Sequence, residues 1–97
     1  MLLTIGLILA AVAAFSVVVW AIINRQKIID WFRNKRPIRN PDEVAFTLKS
    51  KIENGDYEVV QGFFNQRTAI FSADSQVIES QRMASDMRAG KELELYN

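Results

Sequence analysis

The chain has 97 residues, 49 % of them apolar, and its twelve Lys+Arg against eleven Asp+Glu give a formal net charge of +1. It contains no Cys and no His, which removes disulfides, thiolate nucleophiles, iron–sulfur clusters and covalent haem attachment, together with the commonest general base and transition-metal ligand. One small domain is the most this length allows, and most enzyme classes are excluded before any motif is sought.

The charge is zoned. Residues 1–24 carry no charged side chain. Residues 25–40 hold Arg25, Lys27, Arg33, Lys35, Arg36 and Arg39 against Asp30 alone, a net +5. Residues 41–97 hold the remaining six cations against ten acids, a net −4.

Residues 1–23, MLLTIGLILAAVAAFSVVVWAII, have Thr4 and Ser16 as their only polar side chains. As a helix they would be roughly 34 Å long, enough to cross a hydrocarbon core of ~30 Å. A backbone in lipid must be paired internally, so the run is predicted as a transmembrane helix. It reads as a retained signal anchor. A cleavable signal peptide would have a basic segment ahead of a shorter apolar run, and the small-x-small triplet Ala11-Val12-Ala13 falls in mid-run. All the nearby cations follow the run, which predicts a single-pass protein with its N-terminus outside and its tail in the cytoplasm, and Trp20 at the interface. On one helix Gly6, Ala10, Ala13, Ala14 and Val17 would share a face, a small-residue stripe suited to helix packing or to homo-oligomerisation.

Residues 24–40 form a basic collar. With no Gly or Pro before Pro37, the helix is predicted to run on to Arg36. Arg25, Lys27, Arg33, Lys35, Arg36 and Arg39 are candidate contacts to anionic lipid. Ile28, Trp31 and Phe32 make a short apolar patch and are candidate partner contacts, on the same side as Gly6, Ala10 and Ala14 if the helix is continuous. A nucleic-acid role is not expected, because the tail beyond the collar is acidic.

Residues 41–97 read as a small α+β tail. Asn40-Pro41-Asp42-Glu43 has the form of a capped helix start, Val44, Leu48 and Ile52 recur every four residues, and Asn54-Gly55 supplies a stop, so a helix is predicted over 41–53. Tyr57–Phe64 reads as a strand, Asn65–Thr68 as a turn, and 69–75 as a loop or a frayed continuation of the hairpin. A strand at about 76–82, a short helix at 84–89 and an alternating edge strand at 92–96 complete the reading. A 57-residue tail without a disulfide or metal staple is marginal by itself, which points to a covering partner.

No phosphate-binding loop, dinucleotide fingerprint, calcium loop or zinc spacing occurs. The serines have no His partner, and Lys49 and Lys51 have no evident apolar pocket to lower their pKa. The paired carboxylates Glu92/Glu94 and Asp56/Glu58 are better read as edge protection than as acid–base pairs. The expectation is therefore a non-enzymatic accessory, stabilising or assembly subunit of a larger membrane complex, without cofactor, metal, small-molecule substrate or nucleic acid. The alternatives are a tethered adaptor for a soluble partner and, less favoured, a membrane-active peptide of toxin or holin type.

Overall fold

In the computed structural model, which describes residues 2–35, 40–52 and 54–96, the apolar N-terminal run does not form one helix. It divides into α1 (Ile5–Ala11), a 3-10 turn (Val12–Ala14) and β1 (Ser16–Val19). Thr4 opens α1, its hydroxyl accepting from the Leu7 N–H at 3.2 Å. The change to extended backbone falls on Ser16-Val17-Val18-Val19, where three consecutive β-branched side chains favour a strand. At seven residues α1 is about 10 Å long, a third of a hydrocarbon core. Among the described residues no helix is long and apolar enough to cross a membrane.

The predicted single-pass span is thereby overturned. The signal anchor, the integral membrane location, the outside N-terminus and the interfacial place of Trp20 fall with it. The span reading assumed that this backbone could be paired only within itself. Here β5 (Gln76–Ser80) pairs with β1, Leu3, Ile8 and Ile23 are buried, and Val12, Phe15 and Val18 pack half-buried against the core, so no single long helix has to be wrapped by the rest of the chain.

The remaining elements are α2 (Arg25–Lys35), β2 (Glu43–Lys51), β3 (Tyr57–Asn65), β4 (Ile70–Phe71), α3 (Ser85–Arg88) and β6 (Leu93–Tyr96). The fold is α+β, built on a six-stranded mixed sheet in the order β1-β5-β3-β2-β6, with β4 pairing with β3. Among the described strands only β1 and β5 run parallel; the other strand pairs are antiparallel.

The helix predicted over 41–53 is corrected to a strand, β2. A spacing of four residues satisfies a strand's period of two as well as a helical turn, so Val44 and Leu48 do not discriminate. Phe46, two residues from each, does: Val44, Phe46 and Leu48 are all buried on one face of β2. The capping residues serve a turn. Asn40 Oδ1 accepts from Asp42 N–H at 2.9 Å, and its carbonyl accepts from Glu43 N–H at 3.0 Å. The predicted stop becomes the β2–β3 turn, with Gly55 at φ +83°, a conformation glycine adopts without strain.

The sheet is covered on both faces. On one, α1 and the chain before it bring Leu3 and Ile8 onto Phe46, Leu48, Val60, Phe64 and Val77. On the other, α2, α3 and their leads bring Ile23, Ile28, Phe32, Met83 and Met87 onto Val59, Phe63 and Ile78. Ile28 and Phe32 are thus core residues, and Trp31 stacks on Phe63 with ring centroids 5.8 Å apart. Ile28→Ala and Phe32→Ala should lower unfolding free energy by about 2–5 and about 3–5 kcal/mol in urea titrations of the isolated chain. Residues serving only as partner contacts would leave its stability unchanged.

Candidate protein-interaction edge

Register places a polar row across the middle of the α2 face. Ser16, Gln76, Gln61, Thr47 and Glu94 lie side by side on β1, β5, β3, β2 and β6. Gln61 is fully buried. Its side-chain carbonyl accepts from Gln76 Nε2 at 3.3 Å, while its own Nε2 has no hydrogen-bond partner, which costs about 1–3 kcal/mol.

The β6 end of the row is a clasp. Arg25, at the start of α2, grips Glu94 with both terminal nitrogens, Nη1 to Oε2 at 3.0 Å and Nη2 to Oε1 at 3.2 Å. Lys49 Nζ stands 3.8 Å from Glu94 Oε1 and donates to the Met87 carbonyl at 2.5 Å. Tyr96 donates to Glu94 Oε2 at 3.1 Å, which leaves the Thr47 hydroxyl, also 3.1 Å away, to donate to the Tyr96 oxygen. Gly90 closes over the group: a Cβ there would fall 2.1 Å from Glu94 Oε1 and 2.9 Å from Lys49 Nζ.

The Arg25 hydrogen bonds hold the Glu94 carboxyl below its ordinary pKa, and the same contact raises Arg25. Burial raises the Tyr96 phenol. A carboxylate kept ionised and already accepting from Arg25 and Tyr96 is a poor general base. The arrangement fastens α2 and α3 to β2 and β6. Among the described residues no group of three or more Asp or Glu could hold a metal ion.

The opposite side of the sheet is bare. Among the described residues β1 is the terminal strand and pairs only with β5, and it exposes Val17 at 61 % and Val19 at 78 %. Edge strands are usually guarded by Lys, Pro, a bulge or a cover. The register of β1 with β5 is unbroken, and its residues Ser16–Val19 include neither charge nor proline. Beside its start, Ala10, Ala13, Ala14, Phe15 and Phe71 line a surface cavity of about 340 Å³.

The sequence-derived candidates scatter over these features. Gly6, Ala10, Ala13, Ala14 and Val17 are all exposed, but they fall on α1, the 3-10 turn and β1, so they do not share a helix face. Nor do Ile28, Trp31 and Phe32 continue that side: they pack on the other face of the sheet. Arg25 is in the clasp, Lys27 lies 5.6 Å over the Trp20 ring, and Arg33 and Lys35 are exposed in the last turn of α2. Arg36, Arg39 and the Pro37 stop lie outside the described residues. Val19 and the Arg25–Glu94 pair were missed. The run of three valines marked the first as a strand, whereas no local signal joins two side chains 69 residues apart.

Glu94 predicts a pH dependence. Because its folded pKa lies below the ordinary 4.5, its contribution is fully present above that value and is lost as pH falls through the folded pKa. Urea midpoints measured from pH 7 to pH 3 should fall less steeply below about pH 4.5 for Glu94→Gln, which starts lower at pH 7.

No family model, no curated protein and no solved structure matches the chain.

Proposed function

We propose that this chain is a non-catalytic accessory or assembly subunit that joins a larger protein assembly through the free edge of its sheet. The carrying observation is the unguarded β1 strand with Val17 and Val19 exposed. Adding a strand to such an edge supplies main-chain hydrogen bonds for affinity and buries alternate side chains for specificity. The cavity beside Phe15 offers a neighbouring apolar recess for the same partner. Exposed Lys27, Arg33 and Lys35 on α2 support a salt-dependent contribution from an acidic partner surface. The clasp fits this reading as the device that keeps the covering helices in place.

The test is size-exclusion chromatography of the tagged full chain from the cells that make it. It should elute at twice its 11.1 kDa mass or above, and Val19→Lys should shift it to the free position. Identical elution of the two proteins, or a wild type that runs free, sinks the proposal.

A further inference from the structure

The phase of the β1–β5 ladder decides which backbone groups of β1 are spare. Val19 lies opposite Glu79, and the Trp20 N–H donates to the Glu79 carbonyl at 2.9 Å. In a parallel ladder the residues of one strand alternate in facing a given neighbour. Ser16, Val18 and Trp20 therefore turn their backbone groups toward β5. Val17 and Val19 turn their N–H and C=O outward, where no strand pairs among the described residues. The two residues with spare backbone groups are also the two exposed valines of the strand.

Resting on the reading of β1 as the contact surface, we propose that its occupant is a second copy of this chain, paired antiparallel through β1 about a two-fold axis at Val18. The axis sets Val17 opposite Val19 of the second copy, and Val19 opposite Val17. Both are hydrogen-bonded pairs, so the four spare groups on each strand are consumed in four N–H···O=C bonds with none left over. The same pairing is isologous, as a closed dimer requires. On the exposed face it brings β-branched side chains together in two cross-strand pairs.

Charge favours this occupant. Residues 2–24 carry no charge, so the seam opposes no like charges. The nearest acid on the same face is Glu79 on β5. Strand spacings put the two copies of it roughly 16 Å apart, twice the Debye length of about 8 Å at physiological ionic strength. The other edge does not share this property: β6 carries Glu94 and follows Glu92, so self-pairing there would set acidic strands side by side.

The geometry fixes the experiment. In sedimentation equilibrium the full chain should approach twice 11.1 kDa at high concentration and return to monomer on dilution. Val19→Pro removes an outward N–H without touching the β5 ladder and should weaken the dimer about tenfold or more, with the thermal transition retained. Val19→Lys, which keeps the backbone donor, should do the same by opposing cations across the seam. The chain has no cysteine, so Val18→Cys introduces the only one, and it falls on the axis. Its copies form a non-hydrogen-bonded pair with Cα atoms about 4.5 Å apart, within disulfide reach, so oxidation should cross-link it. Val17→Cys would place the two thiol-bearing residues roughly 8 Å apart and should not cross-link. A monomeric wild type with no Val18→Cys cross-link overturns the inference, and so does a dimer that Val19→Lys leaves intact. If the wild type is monomeric by itself while Val19→Lys still releases it from a larger assembly, the second copy is refuted and the wider interaction reading stands.

Discussion

The parallel ladder between β1 and β5 brings together residues sixty positions apart, Ser16 with Gln76 through Val19 with Glu79. It continues past the strands, where the Ile23 N–H donates to the Arg82 carbonyl and the Ala84 N–H to the Ile23 carbonyl. This pairing gives the N-terminal apolar run a backbone partner that is not itself, and the layer arrangement depends on it. Because β1 sits at the edge, the chain arrives from one face of the sheet and leaves onto the other. That is how α1 covers Phe46 and Phe64 while α2 covers Val59 and Phe63.

The two ends of the sheet then differ in character. At β6 the Arg25–Glu94 clasp, with Lys49, Tyr96 and Thr47, is a connected polar group that ties four elements together. Such a group is worth keeping whole, since removing one partner strands the others in a partly desolvated site. At β1 there is no polar side chain beyond Ser16 and, among the described residues, no covering element. A strand that stabilises the fold by pairing on one side is left with an equal set of backbone groups on the other. The same residues that let the apolar run fold into the sheet therefore create the surface proposed for association.

Several elements were legible from local pattern. The strand at 57–64 emerges as β3 (Tyr57–Asn65), and the alternating Leu93–Tyr96 as β6. Gly62 marks a close approach within β3: the register runs through it unbroken, and a Cβ there would meet Ser75. The stretch 76–88 divides into β5 and the single turn of α3. Other elements were not legible. The four-residue spacing of Val44 and Leu48 is common to helix and strand, and an Asn that caps a helix can equally start a turn. Ile28 and Phe32, flanked by cations, looked like a surface patch because the sheet they cover is assembled from strands that come later in the chain.

By itself the sequence determined a break at Asn54-Gly55, the strands with clean alternation, and the absence of cysteine and histidine chemistry. These depend on backbone sterics, short-range periodicity and composition, which act within a few residues. Only the tertiary structure decided whether residues 1–23 form one long helix or three short elements, because that choice turns on what pairs with their backbone. It also decided which edge of the sheet is clasped and which is bare. Both outcomes rest on hydrogen bonds between residues sixty or more positions apart, and no local pattern records them.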